Sequence, residues 1–167
     1  MTASVSLARV TRADAPLLDR IWQFYELESS SWSECDLDET GRFTSLSGFL
    51  ERLGDPDSFD WAYLIRHEGQ LAGLLLVGRQ NFRGREIMEF ADLYVLPKHR
   101  GKGIASEVLR QTVLASEEPW LICVFRKDQA ALTFWRRAFE RLPFSSVRES
   151  VPPEVLDLHE FIVNETI

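Results

Sequence analysis

Apolar residues recur along the chain with two spacings, and the change from one to the other separates helices from strands. After Asp14, apolar side chains fall on one face at a period near 3.6 residues, which predicts a first helix with Asp14 as its N-cap. The same period predicts a second helix over residues 45–53. Two apolar runs, residues 61–66 and 71–77, are joined by a short polar turn and therefore predict a β-hairpin.

The second half of the chain again alternates between strand and helix patterns. An aromatic and β-branched run stops at Pro97, and a helical pattern begins at Ile104. A further helix is predicted from Asp128, its N-cap, to Pro143, which ends it. The remaining apolar segments predict strands over residues 4–10, 90–96, 120–125, 144–148 and 155–163. The pattern alone predicts a mixed α+β domain in the order β-α-α-β-β-β-α-β-α-β-β.

Length and composition are typical of one globular domain, with a core over about residues 4–164. The 167 residues are 45% hydrophobic and 27% charged, enough to bury a sizeable core. A net charge of −7 argues against a general affinity for nucleic acid. No apolar run has the length of an export signal or a membrane span, so a cytoplasmic protein is expected.

The two cysteines and three histidines do not have the spacing of a metal site. Cys35 and Cys123 are far apart, and the histidines stand singly in the sequence. Packing or surface positions therefore explain them better than metal ligation, and no metal is expected.

The stretch from Pro97 to the helix that follows carries the clearest chemistry. A basic turn leads into Gly101-Lys102-Gly103, and the helical pattern begins directly afterwards. Unpaired N–H groups and the positive end of the helix dipole favour an anion there, and two glycines let the backbone approach it closely. Together with the positive charge of Arg100, the loop predicts a diphosphate site, although a βα turn with a purely structural role remains open.

A dinucleotide-binding fold is another alternative for this loop. Its G-x-G-x-x-G fingerprint would place a third glycine where the sequence has Ser106. The acidic residue expected about 20 residues later, at the end of a second strand, is also missing. The sequence therefore does not support this alternative.

The loop from Arg100 to Ala105 resembles the R/Q-x-x-G-x-G/A signature of the GNAT superfamily of N-acetyltransferases. The resemblance implies the GNAT fold, an α/β domain whose mixed, mostly antiparallel sheet of six to seven strands is flanked by about four helices. It implies acetyl-CoA as cofactor, with its diphosphate on the loop amides. The resemblance also implies that Leu93–Val95 pair with the pantetheine arm and that their N–H groups polarise the thioester carbonyl.

A second family signature, N-x-x-A-x-x-F/L-Y, resembles residues 128–135, with Asp128 in place of Asn and Trp135 in place of Tyr. Because an indole N–H does not protonate a thiolate as a tyrosine hydroxyl can, the general acid stays unassigned. The Phe-Trp pair resembles a poorly characterised bacterial subgroup of predicted acetyltransferases. The two signatures together imply these cofactor-binding residues: Leu93, Tyr94, Val95, Arg100, Gly101, Lys102, Gly103, Ile104, Ala105, Asp128, Phe134 and Trp135.

The catalytic base is expected on the strand before the loop. Some family members use a glutamate six positions before the residue that ends this strand, and here that position is Glu89. Burial would raise the pKa of such a carboxyl toward neutrality, while an ion-paired or edge-exposed Glu89 is the structural alternative. Asp92 lies on the opposite face by alternation and is the weaker candidate.

The resemblance implies transfer of an acetyl group to a primary amine by direct attack. A CoA-binding sensor without activity and a protein N-acetyltransferase are the alternatives. The acceptor is expected to be a small, cationic molecule, because the segment between Arg20 and Arg42 has six acids and no base. A solvated acidic loop would look the same, and a homodimer stays open. The candidate substrate residues are Tyr25, Trp32, Glu34 and Asp36.

Overall fold

A computed structural model describes residues 4–43, 46–53, 55, 57, 58 and 60–166. The helices are α1 (Ala15–Ser29), α2 (Ser47–Arg52), α3 (Ile104–Gln111) and α4 (Gln129–Arg141). The strands are β1 (Val5–Arg9), β2 (Trp61–His67), β3 (Gln70–Phe82), β4 (Arg85–Val95), β5 (Trp120–Phe125), β6 (Val147–Glu149) and β7 (Leu158–Val163). The predicted order of elements is confirmed. Ser45, where the second helix was expected to begin, lies outside the described residues.

The seven strands form a mixed sheet in the order β1-β2-β3-β4-β5-β7-β6. β4 and β5 are parallel, whereas β1–β2, β5–β7 and β6–β7 are antiparallel. The chain groups into two compact units: one runs to Leu76 and includes Asp92–Ile104, and the other comprises Val77–Ala91 and the chain from Ala105 onward. None of the described helices has the length and hydropathy needed to cross a bilayer.

In the first unit, the apolar face of α1 is buried through Leu18, Ile21 and Trp22, as its amphipathic pattern predicts. The predicted hairpin is confirmed, and its turn is built on Glu68 and Gly69, which both have positive φ. Its second strand, β3, continues to Phe82 instead of ending at residue 77.

The turn after β3 is also built on two residues with positive φ. Arg83 and Gly84 both have positive φ, and Asn81 Oδ1 accepts a hydrogen bond from the Gly84 backbone N–H at 3.1 Å. β4 therefore begins at Arg85, earlier than the apolar run that predicted it, because the turn geometry rather than hydropathy sets where the strand starts.

In the second unit, the apolar face of β5 packs among Phe82, Ile87 and Ile162 around the buried Leu121. The prediction that Asp128 caps α4 is confirmed, because Asp128 Oδ1 accepts a hydrogen bond from the Ala131 backbone N–H at 3.0 Å.

The strand predicted over residues 144–148 is β6, Val147–Glu149. Two further sequence predictions were wrong in detail. The Asp14 carboxylate does not bond the first turn of α1; instead it accepts hydrogen bonds from Thr11 N at 3.0 Å and Thr11 Oγ1 at 2.9 Å. β7 begins at Leu158 rather than 155, because the buried carboxylate of Glu160 accepts the backbone N–H groups of Glu154 and Val155 at 2.8 and 2.9 Å. These two amides are therefore not available to a strand ladder.

Candidate functional site

The loop before α3 has the backbone geometry that an anion site requires. Gly101 and Gly103 have φ values of 73° and 77°, a region that side-chain-bearing residues rarely adopt. A Cβ atom added at either glycine would meet nothing within 4 Å, so the space above the loop is open. Ile104 is buried and begins α3, while Lys102 is exposed beside the glycines. The loop amides and their surroundings therefore fit a diphosphate.

The guanidinium of Arg100 is already engaged within the first unit. Its Nε donates to the backbone oxygen of Val95 at 2.7 Å, and its Nη2 donates to both carboxylate oxygens of Glu28 at 2.8 and 2.9 Å. The hydroxyl of Tyr94 donates to the same carboxylate at 2.9 Å. Burial first, and then the neighbouring Glu28, raise the pKa of Tyr94 to about 12. Arg100 therefore braces the end of β4, and Glu28 is not a free acid.

The end of β4 extends beyond its parallel ladder. That ladder pairs Met88–Phe90 with Trp120–Ile122, and the last five residues of β4 lie past it. On its other edge, β4 lies very close to β3. A Cβ atom added at Gly73 in β3 would lie 1.9 Å from the backbone oxygen of Tyr94. Leu93 and Val95 are half-buried. This is the strand segment that the family resemblance assigns to the pantetheine arm.

Glu89 is half-buried on β4, in the second unit, and its carboxylate interacts with the thiol of Cys123. Burial raises the pKa of Cys123, and the negative charges of Glu89 and Glu160 raise it further. The thiol therefore stays protonated at neutral pH and is a poor nucleophile. This arrangement offers a carboxylate for proton transfer and no activated cysteine.

Asp92, the weaker candidate from the sequence, has a raised pKa. Burial is the main cause that raises the pKa of Asp92 to about 6, and the charge of Glu26 adds to it, while a hydrogen bond from Tyr25 opposes it. Glu26 is itself buried. The ring of Tyr25 packs against Tyr94 at 5.7 Å and against Trp22 at 4.8 Å. Sequence reasoning ranked this carboxyl below Glu89 because its partners, Tyr25 and Glu26, come from α1, which is distant in the sequence.

The second signature forms an aromatic wall in the second unit. Trp135 is 7% exposed, and its ring packs edge-on against Phe90 at 5.5 Å and Phe134 at 5.3 Å. The Asp128 carboxylate is used to cap α4. Trp135 therefore lies in the packed wall, and no hydroxyl is present at this position.

A cavity of about 320 Å³ lies between α3 and α4. Its lining combines an apolar surface, including Phe134 and Ala138, with the side chains of Arg137 and Arg141. Sequence reasoning did not single out the two arginines. Their spacing of one helical turn beside the second signature was the signal that could have found them.

In the acidic segment after α1, one carboxylate accepts hydrogen bonds within the protein and others are exposed to solvent. Asp38 Oδ1 accepts hydrogen bonds from Thr40 Oγ1 at 2.7 Å, Arg42 N at 3.1 Å and Thr40 N at 2.8 Å. These bonds, that of the Thr40 hydroxyl first, lower the pKa of Asp38. Glu34 and Asp36 are exposed. Of the four candidate substrate residues, Tyr25 and Trp32 are half-buried, and Tyr25 is brought to Asp92.

Two histidines that stand singly in the sequence meet in the first unit. His67 and His99 are buried, and their Nδ1 atoms are 3.3 Å apart. Burial first, and then the charges of Lys102, His67 and Lys98, lower the pKa of His99, which favours its neutral form. Within the described ranges, no group of three or more His, Cys, Asp or Glu residues could hold a metal ion.

The chain was compared with known proteins and solved structures. No curated protein matches its sequence. An acetyltransferase from Thermus thermophilus has 17% identity and a TM-score of 0.68, covering 96% of this chain and 97% of that one. The PaiA N-acetyltransferase of Thermoplasma acidophilum, solved with coenzyme A, has 11% identity and a TM-score of 0.62, covering 95% and 98%. A variant of the spermidine N-acetyltransferase SpeG of Vibrio cholerae has 15% identity and a TM-score of 0.58, covering 96% and 94%.

These likenesses show the fold, and the sequence itself shows the family. The profile of the acetyltransferase (GNAT) family matches residues 20–139, which include the glycine loop and the second signature. Acetyl-CoA is the cofactor of this family. The chain therefore belongs to the acetyltransferase (GNAT) family and is an acetyl-CoA-dependent N-acetyltransferase.

Proposed function

We propose that this enzyme transfers the acetyl group of acetyl-CoA to the primary amine of a small, cationic molecule by direct attack of the amine. The observation that carries the proposal is the open loop of Gly101 and Gly103 at the start of α3, preceded by a strand whose carboxyls include Glu89 and Asp92. A cofactor site and a proton acceptor on consecutive elements are what this reaction needs.

The cofactor would be held mainly by backbone groups. The amides around Gly101 and Gly103 would bind its diphosphate, with Lys102 supplying positive charge. The peptide groups of Leu93 to Val95 would pair with its pantetheine arm, except for the Val95 oxygen, which Arg100 occupies. When bound, acetyl-CoA supplies the acetyl group as a thioester.

Proton removal from the ammonium group of the acceptor is the step that the enzyme's side chains must provide. An amine is protonated at neutral pH and cannot attack until it loses a proton. Glu89 is proposed as the base, acting directly or through a water molecule. Asp92 is a second candidate, because a pKa of about 6 leaves it ionised at neutral pH yet basic enough to accept a proton.

The acceptor class is supported by charge. Glu34 and Asp36 are exposed carboxylates without an ion-pair partner among the described residues, and Trp32 is nearby in the sequence. Carboxylates and aromatic faces favour ammonium groups. The spermidine N-acetyltransferase named above acts on a molecule of this class.

A non-catalytic CoA-binding sensor is the second candidate function, and the observation that favours it is Trp135. This residue replaces the tyrosine that can protonate the leaving thiolate in many family members, and it is buried in an aromatic wall. A sensor on this fold would keep the glycine loop and lose the acid.

A thiol-release assay separates the two functions. The enzyme is incubated with acetyl-CoA and a panel of neutral, monocationic and dicationic amines, and free CoA is measured. Release that depends on the amine, with preference for cationic amines, is expected. Binding of CoA by calorimetry with no amine-dependent release would identify a sensor, and equal rates with neutral and dicationic amines would contradict the cationic acceptor.

A further inference from the structure

The turn that leads into the glycine loop is anchored by one buried side chain. Within residues 97–103, each of which the structure describes, His99 is 6% exposed and the other side chains are exposed. The backbone N–H of His99 donates to the oxygen of Leu96 at 2.9 Å, which closes the turn locally. The two glycines that follow have no side chain. His99 is therefore the residue that holds this segment in the interior of the first unit.

His67, the last residue of β2, contacts His99 within the same unit. It is 4% exposed and pairs with Val5 of β1 in the sheet. The Nδ1 atoms of the two histidines are 3.3 Å apart, and their rings meet edge to face at an angle of 86°. In such a hydrogen bond one Nδ1 donates its hydrogen and the other accepts it, so the bond is directional. It ties the turn before the glycine loop to a strand of the sheet.

The second nitrogen of His67 indicates that packing alone does not explain this residue. Its Nε2 atom is buried and has no hydrogen-bond partner among the described residues. Burial of a polar atom without a partner is unfavourable, and an apolar side chain of similar size would avoid that cost. A histidine at this position is therefore explained by what its Nδ1 does, which is to bond His99.

The charged groups around His99 favour the hydrogen-bonded form of the pair. Lys98 and Lys102 belong to its own segment, and Glu68 lies in the turn after β2. Burial is the main cause that lowers the pKa of His99; the charges of Lys102, His67 and Lys98 add to it, and that of Glu68 opposes it. Two protonated rings would each carry a hydrogen on Nδ1 and could not bond each other. A neutral His99 therefore keeps the bond available.

We propose that His67 is a positioning residue for cofactor binding: its hydrogen bond to His99 holds the turn in place, so that the amides around Gly101 and Gly103 face the diphosphate of coenzyme A. His67 does not touch the cofactor in this proposal and acts through His99. The inference rests on the proposed function, since it assumes that the glycine loop takes the diphosphate. It assigns a role in the reaction to a residue outside both family signatures.

Calorimetric titration with CoA tests this role without requiring any acceptor amine. His67→Leu removes the bonding nitrogen and keeps a buried side chain of similar size, so CoA should bind about fivefold more weakly, the scale of one hydrogen bond. His67→Asn carries an amide group at the position of Nδ1 and can still bond His99. This variant should therefore bind CoA within about twofold of the wild-type protein.

Leu64→Val is the matched control. Leu64 is also buried in β2, but alternation places it on the opposite face of the strand from His67. Loss of one methylene from the core costs about as much stability as loss of one hydrogen bond, so CoA affinity should stay unchanged while stability falls. Urea titration of each variant measures that stability. If His67→Leu does not fold, His67→Phe, which keeps a ring against His99 and has no nitrogen, takes its place.

A double-mutant cycle tests whether His67 acts through His99. His99→Leu should weaken CoA binding at least as much as His67→Leu does. Adding His67→Leu to His99→Leu should cost no further affinity, because the hydrogen bond is already lost. Losses that add in the double variant would mean that the two histidines act independently, which would overturn the proposal.

The other outcomes separate the positioning role from the function on which it rests. Unchanged CoA affinity in His67→Leu, or a loss in His67→Asn as large as in His67→Leu, would overturn the role and leave the acetyltransferase proposal intact. An equal loss in Leu64→Val would show that stability, rather than the hydrogen bond, sets the affinity, and would overturn it as well. A wild-type protein that does not bind CoA would contradict the cofactor site itself and this inference with it.

Discussion

The glycine loop and the acidic segment between Arg20 and Arg42 were both singled out by the sequence, but the structure treats them differently. The loop's role depends on backbone amides and on the φ values of Gly101 and Gly103, which the local sequence dictates. The acidic segment depends on which carboxylates are free, and Glu28 and Asp38 are committed to Arg100 and to a turn. Backbone sites can therefore be predicted from a short motif, whereas side-chain sites need the partners that the fold brings.

The largest expected effect is on kcat, and it tests whether a single carboxylate removes the proton from the acceptor amine. Glu89→Gln keeps the shape of the side chain and removes the base, and should lower kcat by roughly 100-fold. The measurement is the rate of amine-dependent CoA release with both substrates saturating. Cys123→Ser, which alters the neighbour of Glu89 rather than the base, is the control and should keep most of the rate. A rate within twofold of wild type in Glu89→Gln would remove Glu89 from proton transfer.

The second prediction tests the loop. Gly103→Val places a β-branched side chain at a φ of 77° and in the space that the diphosphate would occupy, so CoA should bind roughly 30-fold more weakly. Gly84→Val is a matched control, because Gly84 has a φ of 80° and also has nothing within 4 Å of an added Cβ, but lies in the turn between β3 and β4. Similar losses of CoA affinity in the two variants would mean that backbone strain, not the cofactor site, causes the effect.

The sequence predicted most of the fold, because hydrophobic periodicity and caps such as Asp128 are local signals. It missed the start of β7, because the carboxylate that takes the backbone amides of residues 154 and 155 is Glu160, inside the strand itself. In the candidate site it predicted the glycine loop and Glu89. It underrated Asp92, because burial by side chains from α1 cannot be inferred from strand alternation.

The third prediction uses the pKa of Asp92. Because its folded pKa of about 6 is above its ordinary value of 3.8, this carboxyl stabilises the fold fully below that ordinary value, and the contribution is lost as pH rises through 6. At pH 7.5 the buried charge is therefore destabilising, by at most about 3 kcal/mol. Asp92→Asn, which can still accept the Tyr25 hydrogen bond, should raise the free energy of unfolding at pH 7.5 and bring no gain at pH 4.

Urea titrations at the two pH values measure this effect, and an equal change in stability at both would contradict the raised pKa. The same variant sharpens the choice of base. If Asp92 takes the proton, activity in the wild-type enzyme should fall as pH drops below 6, and Asp92→Asn should lose that fall together with most of its rate. If the activity of Asp92→Asn still falls below pH 6 and that of Glu89→Gln does not, the proton acceptor is Glu89.

The smallest expected effect concerns the acidic segment. Glu34 and Asp36 are exposed, so each contributes a modest, salt-screened attraction. The variant E34Q/D36N should raise the KM for a dicationic amine about threefold, reduce its dependence on salt, and leave the KM for acetyl-CoA unchanged. Glu28→Gln is the matched control from the same segment. Because Glu28 holds Arg100 at the end of β4, this change should raise the KM for acetyl-CoA rather than for the amine. If both variants change the same KM, Glu28 does not differ in role from Glu34 and Asp36. The proposal of a cationic acceptor would then lose its main support.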